Sequence, residues 1–342
     1  MLSINFKNTI AECENYCNGF KNGNSKIKGI VLWIERRVKD YLSQENLNLL
    51  ENKNNKKILL ELKRLLTKEE IEKIIKCDYN NLEIKSNEYQ KFKKIDLLYK
   101  SNGNKKKKDP VKVLNLIFNY SEFRGYKKTI YNGFLLSQRL GIECCPYCNR
   151  NYTTSHQTYF VNVKSVKTEK HVFPEFDHFY PKTEHPVIAL SFYNLIPSCN
   201  ICNTHYKNDR GASHLFHPYT INSLNKFRFV GFPSDVASLY GSADNISIDF
   251  EYFGTDEINE KLKNSIEFFG IKDIYEKCHT SLIRDIIYKK IAFGQSYMKH
   301  LENTYKMSFE DSYRVVFETN FEDEKLHKRP FSKLKKDIFL GS

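Results

Sequence analysis

Two Cys-x-x-Cys pairs, Cys145-Pro146-Tyr147-Cys148 and Cys199-Asn200-Ile201-Cys202, constrain this chain more than any other feature. Each pair offers two sulfurs from one tight turn, and two such turns complete a tetrahedral four-sulfur site for Zn²⁺. A redox Cys-x-x-Cys needs only one pair; two unrelated pairs of buried thiols are the plainer alternative. With all four positions filled by protein, the zinc is expected to be structural. It would tie the segment around the second pair to the first and convert metal-binding energy into local geometry.

Between the pairs run Phe176-Asp177-His178-Phe179-Tyr180-Pro181-Lys182 and Tyr193-Asn194-Leu195-Ile196-Pro197-Ser198. Hydrolysing a phosphodiester needs an activated water, neutralisation of developing charge and a stabilised leaving oxygen. A neutral histidine can supply the first, and a divalent metal the other two. Adjacent residues on an extended segment point to opposite sides, so Asp177 and His178 can serve one site only through a bend or bulge there. Asn194 is expected on the next strand, holding the loop by hydrogen bonds, and Asn203 where a short helix starts. Taken singly, each has a plainer reading: a satisfied histidine, a helix cap at Asn203, solvated lysines at 182 and 207. The joint occurrence in order, bracketed by two cysteine pairs, carries the nuclease reading.

That order resembles the HNH (ββα-metal) endonuclease family: Asp-His, then Asn-Leu, then Cys-x-x-Cys-Asn with a lysine soon after. The resemblance implies that Asp177 and Asn203 ligate a catalytic Mg²⁺ or Mn²⁺, that His178 is the general base and that Asn194 orients its loop. Lys207 and Lys182 become the candidates for gripping phosphate. Many members place the trailing lysine three residues after the asparagine, whereas here it is four, so His205 competes with Asn203 for the metal. His185 is a supporting candidate beside the site. The phrases Cys145-Pro146-Tyr147-Cys148-Asn149-Arg150 and Ser191-Phe192-Tyr193-Asn194-Leu195-Ile196-Pro197-Ser198-Cys199 also resemble HNH subunits of Septu-type antiphage systems, which work beside a separate ATPase. The match spans about Leu140 to Pro218. A family-like phrase, Arg329-Pro330-Phe331-Ser332-Lys333-Leu334, has no assignable role from sequence.

Charge agrees with a polyanionic partner. Lys and Arg total 54 against 41 Asp and Glu, a formal charge of +13, and cationic contacts to phosphate release counterions. The plain alternative is a lysine-rich solvated surface in a chain also rich in Asn, Ile, Tyr and Phe. No secretory h-region or membrane-length apolar run is visible, so a cytoplasmic location is expected, where paired cysteines hold metals more often than disulfides. Of the other five cysteines, Cys13 and Cys17 fall on one possible helix face, and all five are expected as buried single thiols. No Gly-Lys pair occurs, which excludes a Walker A loop.

The expected fold class is α+β: a helical N-terminal domain (1–100), a basic linker (101–110), a zinc-stabilised ββα-metal nuclease core (111–217) and a mixed strand and helix region (218–342). Helical spacing is clear at Val31, Ile34, Val38, Tyr41 and Leu42, and at Ile58, Leu59, Leu62, Leu65 and Leu66. Thr67 with Glu70 reads as a capping box, and a helical pattern runs from Leu114 through Tyr120 toward Leu140. Tyr152 to Phe173 and Ile246 to Tyr252 read as strands. Two helical runs, Ile258 to Phe269 and Ile271 to Ile286, meet at Gly270 and are expected to form a hairpin. Three readings stay open: a nuclease acting on double-stranded DNA, a zinc-stabilised nucleic-acid-binding or adaptor module without catalysis, and an RNA-cleaving toxin. For the first, activity is expected to rise with pH through the ordinary histidine pKa.

Overall fold

The N-terminal helices form where the apolar spacing predicts and bury most of the expected residues, with Tyr41 and Ile58 half-buried and Leu65 exposed. In the computed structural model, which describes residues 4, 9–23, 25–97, 111–125, 129–161, 167–220, 226–233, 235–240 and 246–341, helix Ile30–Tyr41 turns Val31, Ile34 and Val38 inward. Helix Lys53–Leu65 buries Leu59 and Leu62, and helix Lys68–Ile75 buries Ile71, Ile74 and Ile75. Each such side chain contributes about 1.5–3 kcal/mol relative to leaving it in water. Thr67 caps the last helix by accepting from the Glu70 N–H. The Glu70 carboxylate does not return the bond; it takes Lys85 Nζ at 3.3 Å and the Tyr89 hydroxyl at 3.2 Å instead. The expected basic linker lies outside the described residues.

One buried arginine ties these helices to the short helices that follow. Arg37 stacks 4.7 Å from the Trp33 ring, donates Nε to the Leu116 carbonyl at 2.7 Å and pairs with Glu122. It thereby fixes the short helices Val113–Ile117 and Tyr120–Arg124. The long helical pattern expected here is broken into these two and a third, Gly133–Leu140. Asn119 and Asn132 cap the second and third through their side chains.

The strands form five two-stranded antiparallel ribbons among the described residues. His156–Val161 pairs with Lys167–Val172, and Phe227–Pro233 with Ile246–Tyr252. Glu175–His178 pairs with Leu195–Ser198, with Asp177 opposite Ile196 and His178 opposite Leu195. The architecture is therefore α+β, largely helical with small sheets.

In the C-terminal region the run expected from Ile271 to Ile286 is two helices, Ile271–Cys278 and Thr280–Ala292, broken at His279. Cys278 ends the first and is exposed, whereas the other four unpatterned thiols are buried. Gly270 precedes it at φ +56°, and a Cβ there would sit 3.1 Å from the Tyr206 hydroxyl. Both the left-handed backbone and the close approach require glycine.

Among the described residues the main hydrophobic cluster runs from Ile4 to Phe339, with Cys144 and Leu326 packed apart from it. His217 is buried against the main cluster, its ring stacked 5.0 Å from Tyr79 and tilted against Phe179 at 4.1 Å, with Nδ1 accepting from the Tyr219 N–H. Burial pulls its pKa down to about 3, and burial also pulls His327 down to about 4. Unfolded histidine titrates near 6.5, so the unfolded chain takes up protons first as pH falls. The stability these neutral rings contribute is complete above about pH 6.5 and is lost toward the folded values. Urea unfolding at pH 5 rather than 7.5 should cost about 2 kcal/mol for His217 alone. His217→Gln should remove that part of the pH dependence.

Candidate functional site

Asp177, His178 and Asn203 come together on one strand–strand–helix unit. Strand Glu175–His178 leads into a loop, strand Leu195–Ser198 returns antiparallel, and helix Ile201–Lys207 comes directly after it. That helix has π geometry, with the Asn208 N–H bonded to the Asn203 carbonyl at 2.7 Å. Single-turn π segments recur at functional sites because the extra residue re-aims side chains. Asn208, at φ 45°, ends it.

The loop between the strands is fastened from several sides. Asn194, fully buried in a 3₁₀ turn (Phe192–Asn194) just ahead of the second strand, accepts from the Tyr180 N–H at 2.8 Å. Its amide donates to the Tyr180 and Ile188 carbonyls, each at 3.1 Å. From the N-terminal helices, Tyr16 donates to the Leu190 carbonyl, and the Ser191 hydroxyl donates back to the Ile74 carbonyl. His185 meets Ser86 Oγ at 2.9 Å through Nδ1, which places it in this packing rather than in the cleft.

A cleft of about 250 Å³ opens over the unit, lined by Glu175, Asp177, His178, Lys182, Asn203 and Asp209 together with Tyr120 and Arg124. Asp177 and His178 both reach it without the expected bulge. Their pairing is regular, and the chain turns only after His178, where the strand ends. His178 Nε2 lies 3.1 Å from the Ala189 carbonyl, with Tyr120 edge-on at 4.4 Å. A carbonyl only accepts, so Nε2 carries the proton and Nδ1 keeps its lone pair. Burial, with the Lys182 charge second, lowers this imidazole to about 3. It is therefore neutral well below the ordinary histidine value expected from sequence.

Asp177 is buried, and burial raises its pKa against the opposing charge of Lys207 and a hydrogen bond from Tyr147. The Tyr147 hydroxyl donates to Asp177 Oδ2 at 2.5 Å. Lys207 departs from expectation: it is completely buried, and its ammonium donates to the His178 and Arg210 carbonyls at 3.3 and 2.6 Å. A lysine so enclosed faces Asp177 and the strand end, not solvent where phosphate would arrive. Lys182 stays exposed, its ammonium 4.8 Å from the Tyr120 ring. His205 is exposed and outside the cleft lining, which favours Asn203 in their competition. Arg124 was missed: nothing in its local sequence distinguishes it from other surface arginines.

Beside this cleft the four cysteines come together. Cys145, Cys148, Cys199 and Cys202 are all buried, with their sulfurs within 4.8 Å of one another. Cys148 and Cys199 lie 4.0 Å apart. That is far from a disulfide and close to the ~3.8 Å edge of a tetrahedron with Zn–S bonds near 2.3 Å. Hydrogen bonding with the Cys145 thiol lowers Cys148 to about 7 and takes Cys199 far below the ordinary thiol value. Burial raises Cys145. Four buried sulfurs gathered this closely could hold a structural metal ion such as zinc.

The first knuckle serves both centres. Tyr147 sits between its cysteines, stacks on Phe269 at 4.4 Å and presents its hydroxyl to Asp177. Asn149, at φ 47°, anchors the C-terminal helix Ser332–Leu340 by accepting from the Ser332 hydroxyl and the Lys333 N–H, both at 3.1 Å. Its carbonyl takes the Phe331 N–H. The Arg329–Leu334 phrase thus docks on the knuckle. Tyr147→Phe should cost roughly 1–3 kcal/mol in urea unfolding, because a buried carboxylate loses its donor, while the metal content stays unchanged.

Comparisons with family models, with curated proteins and with solved structures returned no match. Among the described residues, no helix is long and apolar enough to cross a membrane.

Proposed function

We propose that this protein is a metal-dependent HNH-type endonuclease that hydrolyses phosphodiester bonds of DNA, with a structural Zn²⁺ in the four-cysteine cluster. The observation that carries the reading is the convergence of Asp177, His178 and Asn203 on one cleft of a strand–strand–helix unit. His178 Nδ1 accepts a proton from the attacking water, while the Ala189 carbonyl holds Nε2–H and fixes the tautomer. Asp177 and Asn203 would hold Mg²⁺ or Mn²⁺, as oxygen donors suit hard cations. Such an ion would neutralise charge developing on the phosphate and on the leaving oxygen. Lys182 and Arg124 steer the phosphate from the rim, and buried Lys207 holds the charge balance of Asp177. The resemblance of the motifs supports a place as effector of a bacterial antiphage system, acting in the cytoplasm with a separate ATPase.

A cleavage assay on plasmid DNA and on RNA, with and without Mg²⁺ or Mn²⁺, tests the proposal. Metal-dependent nicking of DNA supports it; cleavage of RNA alone moves the protein to the toxin reading. Binding without cleavage under any metal condition leaves a nucleic-acid-binding module.

A further inference from the structure

The Glu175 carboxylate receives three donors from the π-helix and the residue that caps it. Asn203 Nδ2 lies 2.7 Å from Oε2, Asn200 Nδ2 3.1 Å from Oε1 and Thr204 Oγ1 3.4 Å from Oε2. An ionised carboxylate can only accept, so the end of the Asn203 amide that faces it must be the nitrogen. The carbonyl oxygen Oδ1 is then turned away from Glu175, and no described residue donates to it. Asn203 and Asp177 line the same cleft. Glu175 and Asp177 share one face of their strand, two residues apart, so the carboxylate that orients the amide and the carboxylate beside it are set by the same pleat.

From this geometry we propose that Glu175 is a positioning residue that fixes the Asn203 amide with Oδ1 toward the cation site. The inference rests on the metal-site reading above. An asparagine ligates a hard cation through oxygen only, so the amide must be held both in this orientation and in place for Oδ1 to serve. Partners that orient metal ligands typically contribute 10- to 100-fold in metal affinity.

The test is Mn²⁺ binding to the full-length, zinc-replete protein, read as free Mn²⁺ by electron paramagnetic resonance, with cleavage measured in parallel. Glu175→Ala should weaken Mn²⁺ binding about tenfold, with zinc content unchanged. Asn203→Ala should weaken it at least as much, and the double variant should be no weaker than Asn203→Ala alone. If Glu175→Ala does not fold, Glu175→Gln serves, since its carboxamide can also donate and lets the Asn203 amide flip; several-fold weaker binding is expected. Wild-type affinity in the folded variant overturns the inference. So does a double variant weaker by the full Glu175 factor, which would make Glu175 an independent ligand. In either case a wild type that binds Mn²⁺ and cuts leaves the nuclease reading standing. A wild type that neither binds Mn²⁺ nor cuts removes both.

Discussion

Cys199→Ser should destabilise this protein's fold rather than merely slow its chemistry. The variant removes one of four buried sulfurs, and the free energy of binding a structural zinc is largely folding free energy, about 10–16 kcal/mol in isolated zinc-finger peptides. A 342-residue chain has other core to draw on, so partial rather than complete unfolding is expected. Three attachments nevertheless depend on the cluster. Cys199 comes immediately after the second strand of the cleft unit and receives the Asn151 amide at 3.4 Å. The Cys148 carbonyl takes the Tyr275 hydroxyl at 2.7 Å, and Asn149 anchors the last helix. Elemental analysis should fall from about one zinc per chain to near zero, as four-sulfur coordination dictates. The melting midpoint should drop by roughly 10 °C. A zinc-free variant that melts like the wild type would defeat the assignment.

His178→Ala should do the opposite. Removing a well-placed general base costs about 10²- to 10⁴-fold in rate, while zinc and DNA affinity persist because His178 belongs to neither the sulfur cluster nor the cationic rim. DNA binding should weaken steeply with salt in wild type and variant alike. Measuring binding and cleavage on the same DNA separates the two leading readings. If only the wild type cuts, the nuclease stands. If both bind equally and neither cuts with any metal or partner, the binding module prevails.

Several roles were hidden from sequence for a common reason. The Tyr147 bond to Asp177 crosses 30 residues, and Asn149 meets Lys333 across 184. No local spacing encodes such pairs, though Tyr147's place inside a knuckle was a usable hint. Glu175 was also within reach, since period-two alternation puts it on the Asp177 face. Lys207 misled because a lysine four residues past Asn203 reads as solvated or phosphate-gripping until burial is known. His178 misled in a similar way: its pKa depends on burial, and the Tyr120 ring packed against it comes from a helix far earlier in the chain.

What the sequence alone determined is what short spacing can express. It set the helices with their buried faces, the Thr67 cap, the strand at Ile246–Tyr252, the pairing of two cysteine knuckles and the order of Asp177, His178, Asn194 and Asn203. Only the tertiary structure decided which of these side chains are dry, which face each other and in what protonation state they sit. Burial and electrostatics depend on everything packed within a few ångströms, and that neighbourhood is assembled from elements far apart along the chain.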